Sequence, residues 1–235
     1  APGGPGSAAP VASLTVFAAA SLTAAMVRVR RVYEAANPGT TLTVSTDSST
    51  ALTTKIEQGA PADVLLSADT VNPQRLVDRG LAVGSLTVFA GNGLAIIVPA
   101  TNPARISDPV DLARAGVKVI TCTDNVPIAK YTQALVANLG RQAGYPADFA
   151  ARFAANIASR EANVTAIVAK IELGEGDAGI VYVTDATASA KVTTIRVPGS
   201  ANVPAAYGGV VVRASKHTAA AQAFLDWLAG AGGRV

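Results

Sequence analysis

Val16-Phe17-Ala18-Ala19-Ala20-Ser21-Leu22 is the stretch that decides how this chain is read. Leu14 and Val16 to Ala20 make an apolar run of strand length, and Leu22, Met26, Val29 and Tyr33 then recur at helical spacing. A buried strand therefore runs straight into a helix, with Ser21 near the N-cap. The first-turn N–H groups of a helix lack intrahelical acceptors and carry the positive end of its dipole. A serine hydroxyl beside them makes the junction a candidate anion site.

Outward from this junction, short apolar strands alternate with amphipathic helices, which predicts α/β layers with largely parallel sheets. Strands are expected at residues 14–19, 42–45, 64–67, 94–98, 117–121, 179–183, 193–197 and 209–212. The clearest helices are expected at 49–58, 126–139, 164–173 and 219–228, with Gly59, Gly140, Gly174 and Gly230 as C-terminal stops. Ser21, Ser49, Asp124-Asn125 before Pro127, and Asn163 before Val164 all stand at predicted helix starts. Each alone reads as an N-cap. Aligned by an α/β fold, they would bring several helix N-termini to the carboxyl edges of the sheets, where such folds bind ligands.

With 235 residues, 50% hydrophobic and 15% charged, the chain can bury a large core in one large or two small domains. No apolar run approaches the roughly 20 residues that span a bilayer. Residues 1–11, rich in Ala, Gly and Pro, are expected to form a flexible tether. The net charge is +3, and Arg28, Arg30 and Arg31 read as the solvated face of one helix. Aromatic content of 5% and no basic stripe argue against nucleic acid. Cys122 is the single cysteine, which rules out an intramolecular disulfide and a cysteine-based metal site. His217, in a polar Ser-Lys-His-Thr stretch, reads as a surface or capping residue, and Ser21 lacks the flanking glycines of a nucleophile elbow.

V-F-A-A-A-S-L at 16–22 is followed by S-S-T-A-L at 48–52, G-A-P-A-D at 59–63, S-A-D at 67–69 and G-N-G-L at 91–94. N-V-P at 125–127, G-I-V-Y at 179–182 and D-A at 185–186 complete the series. In this ordered set the chain resembles the molybdate-binding proteins of ABC importers, from Leu14 to Leu228. The resemblance implies an α/β, two-lobed periplasmic-binding-protein fold of the type II, Venus-flytrap kind, with a ligand cleft between lobes. Lobe one would comprise residues 12–86 plus 205–235 and lobe two residues 87–204, with crossings within 87–93 and 200–208. Members of that family usually continue past Gly230 with a further helix and a short tail.

Carried over by motif, Ser21 and Ser49 would supply hydroxyl and backbone donors from lobe one. The N–H groups of Ile128 and Val164 and the hydroxyl of Tyr182 would close over the anion from lobe two. Ile128 replaces the alanine usual after V-P, which leaves the backbone donor and makes the wall bulkier. Tyr207, before Gly208 and Gly209, reads as a packing or hinge residue. The resemblance implies no catalytic residue, no cofactor and no direct metal ligand, molybdenum being bound as molybdate, or tungsten as tungstate. It further implies a monomer outside the cytoplasm, periplasmic or lipid-tethered, that hands its ligand to a membrane permease.

A shell of neutral donors suits a fully deprotonated tetrahedral dianion, whereas phosphate near neutral pH keeps a proton and wants an acceptor. Asp47, close to Ser49, would spoil this if it faced the site. Molybdate and sulfate differ in size alone, so a receptor for sulfate or another tetrahedral oxyanion is the nearest alternative. A small α/β enzyme acting on a phosphorylated substrate is a further one, set back by the absence of G-x-G-x-x-G and P-loop signatures and of an evident acid–base pair. A secreted adhesin or structural module would show no specific anion response.

Overall fold

The computed structural model describes residues 12–234, and the tether expected over residues 1–11 lies outside them. The chain first alternates β1 (Ala12–Ala19), α1 (Thr23–Ala36), β2 (Thr40–Asp47), α2 (Ser49–Glu57), β3 (Val64–Ser67), α3 (Val71–Asp78) and β4 (Ala82–Asn92). A second unit follows: β5 (Leu94–Pro99), β6 (Val119–Cys122), α4 (Pro127–Leu139), α5 (Phe149–Ala155), β7 (Ile157–Glu161), α6 (Val164–Glu172), β8 (Ala178–Tyr182), α7 (Val183–Thr187) and β9 (Val192–Ile195). The chain then returns to the first unit with β10 (Ala205–Val212) and α8 (Thr218–Ala229). Two five-stranded sheets result, ordered β2-β1-β3-β10-β4 and β7-β6-β8-β5-β9, one to each lobe.

The sheets are mixed rather than largely parallel. β1 is parallel to β2 and β3, and β6 to β7 and β8. β10 is antiparallel to β3 and β4, and β5 to β8 and β9. β5 and β10 are the first strands after each crossing between lobes, so they enter their sheets against the direction set by the strand–helix–strand units. β4 and β7 were not among the expected strands; both are edge strands whose residues are largely exposed or half-buried, so they lack the apolar run that marks the interior ones.

The first sheet also reaches further than expected. β4 continues to Asn92, which pairs with Ala205, so residues 87–92 belong to the first sheet and not to lobe two. The outward crossing falls at Gly93. Asn202 ties it to the return segment: its Oδ1 accepts from Leu94 N at 3.0 Å and its Nδ2 donates to the Leu94 carbonyl at 2.9 Å.

Alternation along β1 explains the opening motif. Leu14, Val16 and Ala18 pack on one face with Met26, Val29 and Tyr33 of α1 and Phe224 and Leu225 of α8. Phe17 faces the other side, against Leu52, Ile56 and Leu76 of α2 and α3. Helices cover both faces, so the strand is apolar throughout instead of alternating with polar residues. On α1, Met26, Val29 and Tyr33 are buried while Arg28, Arg30 and Arg31 are exposed, a solvated face. A third core cluster joins the lobes, packing Ala19, Ala20, Ala68 and Tyr207 of the first with Ile128, Val164 and Tyr182 of the second. The lobes are closed on one another.

Candidate functional site

Ser21 lies in a 3-10 turn over Ala20–Leu22, and α1 starts at Thr23 with Leu22 in the cap position. The serine expected near the cap therefore caps nothing, and its hydroxyl is free for another partner. Ser49 is not a cap either. The N-cap of α2 is Ser48, whose Oγ accepts from Ala51 N at 3.3 Å. Ser49 occupies the first helical position, and its Oγ accepts from Ala68 N at 3.0 Å. That bond uses a lone pair and leaves the Ser49 proton available to donate.

On the second lobe, Pro127 opens α4, a position that needs no N–H, and Ile128 follows it. Asn125 does not cap this helix; its Oδ1 accepts from Thr123 Oγ1 at 2.8 Å. Val164 opens α6, which Asn163 caps by accepting from Ala166 N at 3.1 Å. Ile128 and Val164 thus sit in first helical turns, whose N–H groups have no intrahelical carbonyl to meet. Tyr182 is the last residue of β8.

All five expected residues line one small cavity of about 10 Å³, together with Ala19, Ala20, Ser48, Ala68, Val126 and Pro127. It stands at the carboxyl ends of the parallel strands β1 and β2 on one lobe and β6, β7 and β8 on the other. The five residues are buried, and Tyr182 is 1% exposed. The Tyr182 hydroxyl has no hydrogen-bond partner among the described residues. A buried phenol without a partner is costly and uncommon, and here it belongs to the wall of a cavity.

Among the described residues, no charged side chain lines the cavity. Asp47, the residue that could have intruded, is turned to Lys55 at 2.9 Å and to Ser48 N at 2.8 Å. Burial pushes its carboxyl up, but Lys55 and the Ser48 N–H outweigh that and hold it below its ordinary value. Asp185 accepts from Tyr182 N at 3.2 Å, and burial raises its carboxyl to about 7. Burial also keeps the Tyr182 phenol protonated far into the alkaline range. The cavity therefore presents hydroxyl protons and backbone N–H groups without a neighbouring cation, an arrangement that can hold a compact anion by hydrogen bonds alone.

Tyr207, read from its sequence context as a packing or hinge residue, also reaches a cavity residue. Its Oη lies 2.9 Å from Ser21 Oγ and accepts from Asn92 Nδ2 at 3.3 Å. Ser48 was also passed over as the cap, because either of two adjacent serines fits the pattern. Elsewhere, Cys122 is buried, with its thiol pushed up to about 12 by desolvation first and by Glu161 and Asp185 second. His217 is exposed at the start of α8 and makes no side-chain cap. Among the described residues, no three His, Cys, Asp or Glu side chains come together as a metal site, and no helix is long and apolar enough to cross a membrane.

Residues 14–234 match a family model described as bacterial extracellular solute-binding protein. The chain is 35% identical to the molybdate-binding protein ModA of Mycobacterium tuberculosis over 223 residues, covering 94% of this chain and 81% of that one. Its fold is similar to that of the sulfate-binding protein SubI of M. tuberculosis (TM-score 0.83, 24% identity, 94% of this chain and 82% of that one). It is similar too to the periplasmic molybdate-binding protein of Azotobacter vinelandii (TM-score 0.76, 22% identity, 92% and 93%). At those two identities the likeness is one of fold.

Proposed function

The chain belongs to the family of bacterial extracellular solute-binding proteins, and from that premise we propose that it captures molybdate outside the cytoplasm, tungstate equally, for delivery to the permease of an ABC importer. It is a binding protein and not an enzyme. The anion is held between the lobes by the hydroxyls of Ser21, Ser49 and Tyr182 and the N–H groups of Ile128 and Val164. The observation that carries this reading is the buried Tyr182 hydroxyl, unpartnered in a cavity that it shares with the other four and with no charged side chain. The 35% identity to a molybdate-binding relative supports molybdate over other oxyanions.

Hydrogen bonds to a charged group contribute roughly 1.5–3 kcal/mol each. Five of them give gross stabilisation on the order of 10 kcal/mol, before desolvation and lobe ordering are subtracted. A remainder of that kind is compatible with dissociation constants of roughly micromolar to nanomolar. Charge cannot separate molybdate from sulfate, so selection rests on size: a closed ring of donors set for the larger anion leaves sulfate with stretched bonds. Phosphate, carrying a proton near neutral pH, finds no carboxylate to accept it.

Thermal unfolding with each anion in turn tests the reading. A ligand bound only by the folded state adds RT ln(1 + [L]/Kd), about 2.7 kcal/mol at 100 times Kd. Molybdate and tungstate should then raise the melting temperature by roughly 5–10 °C, with little response to sulfate or phosphate. An equal response to sulfate would replace molybdate by a broader oxyanion specificity, and turnover of a phosphorylated substrate would contradict a binding role. The protein acts as a monomer in this reading, which sedimentation tests. A lipid tether to the cell membrane, as against a free periplasmic protein, is its remaining part, tested by mass spectrometry of native protein.

A further inference from the structure

We propose that Tyr207 is a positioning residue that turns the Ser21 hydroxyl proton toward the bound oxyanion, and that Asn92 in turn fixes the direction of the Tyr207 proton; this rests on the oxyanion reading above. Asn92 ends β4, at the crossing between lobes. Its Oδ1 accepts from Gly93 N at 3.0 Å, which leaves the amide nitrogen as the donating end. One Nδ2 bond goes to Thr184 Oγ1 on the second lobe at 2.8 Å and another to Tyr207 Oη at 3.3 Å.

Tyr207 is 2% exposed, so its own proton needs a partner, and Ser21 Oγ at 2.9 Å is in reach. With Asn92 occupying a lone pair on Oη, donation from Tyr207 to Ser21 satisfies the phenol. The reverse direction would leave the phenol proton stranded. Ser21 Oγ then accepts from Tyr207, and its own proton is released to the cavity it lines. Ser49 is treated the same way by different means, since its Oγ accepts from Ala68 N at 3.0 Å. In both serines a protein donor occupies the acceptor role, and the remaining proton serves the ligand. The Tyr207 ring also packs edge-on against Phe89 and Tyr182, with centroids at 6.1 and 5.6 Å. A phenylalanine keeps those contacts and removes only the hydroxyl.

A double-mutant cycle separates the two roles. Molybdate affinity is measured by titration calorimetry for the wild type, Y207F, S21A and the double variant, after thermal unfolding shows each to be folded. Y207F should weaken binding about 5- to 10-fold in the wild-type background and by less than about twofold when Ser21 is already alanine, because the tyrosine acts through that serine. Equal losses in both backgrounds, or no loss in either, would overturn the proposal. If Y207F does not fold, N92A enters the same cycle in a Thr184→Val background, where the Asn92 bond to the second lobe is already absent; the same non-additivity is expected there and its absence is again contrary. Failure of the wild type to bind any tetrahedral oxyanion would overturn the receptor reading and this proposal with it, an outcome distinct from additive losses in a protein that binds.

Discussion

Thr50 Oγ1 on α2 donates to the Asn125 carbonyl on the opposite lobe at 2.6 Å. Thr50 is held in turn by Asn72 Nδ2 at 3.4 Å, and that amide is fixed by both oxygens of the buried Asp69, at 3.1 and 3.0 Å. The contact stands one residue from Ser49 and three from Ile128, beside the cavity that those two residues line. A ligand that touches both lobes shifts their equilibrium only through contacts made in the closed form. The Thr50–Asn125 bond is one such contact made by the protein itself.

Thr50→Val should therefore release molybdate faster while leaving every proposed ligand donor in place. A neutral hydrogen bond contributes about 0.5–1.5 kcal/mol net, so the dissociation constant should rise roughly 2- to 12-fold, carried by the off-rate. Stopped-flow displacement reads this directly. An unchanged off-rate would mean that the bond does not hold the closed form together.

Tyr182→Phe separates binding from stability. The phenol is buried without a partner, and an unsatisfied hydroxyl costs about 1–3 kcal/mol. The unliganded variant should melt at or above the wild-type temperature, whereas molybdate affinity should fall roughly 10- to 100-fold through the loss of a donor to a charged group. A lower melting temperature with unchanged affinity would make the hydroxyl structural.

Asp185 predicts a stability slope with a definite sign. Its carboxyl, raised to about 7 by burial, keeps a proton in the folded state that the unfolded chain releases above about pH 4. Between those values the folded state binds more protons, so unfolding free energy falls as pH rises. Glu57 is held low by its hydrogen bonds to Arg75, so its opposite slope operates at more acid pH. Chemical denaturation from pH 4 to 8 should show the decline, and D185N should flatten it. A variant with the same slope as the wild type would assign the decline to another group.

Gly179 of the G-I-V-Y motif is set by packing. A Cβ there would stand 2.5 Å from Ile167 Cγ2 on α6 and 3.4 Å from the Ile120 carbonyl. Overpacking of this kind costs typically about 1–3 kcal/mol. Gly179→Ala should lower the melting temperature by about 2–4 °C for each kcal/mol. Unchanged stability would show that α6 moves away freely.

The interior of this fold was legible because burial on both faces forces continuous apolar runs. β3 matches its expected bounds, and Val16 to Ala19 enter β1 as expected. The edge strands β4 and β7 were not legible, since their residues are largely exposed or half-buried, and with β4 went the reach of the first sheet to Asn92, although the crossing at Gly93 does fall within the expected 87–93. Gly59 and Gly174 adopt the left-handed conformation that suits a helix stop, with φ of 88° and 74°. Gly140 stays helical at φ −62° and Gly230 is extended, so a glycine after a helix did not reveal how the helix ends. Ser21, Ser49, Ile128, Val164 and Tyr182 came from motifs and do share one cavity. Tyr207 was beyond reach because its partner Ser21 lies 186 residues away, joined only when β10 returns to the first sheet.

Titration calorimetry of molybdate into the wild type and into the S21A/S49A double variant decides whether these two serines hold the anion. The wild type should bind one molybdate per chain saturably, and a double variant that unfolds like the wild type should show no measurable binding. Equal affinity in the two proteins, or no heat from molybdate with the wild type, would contradict that role.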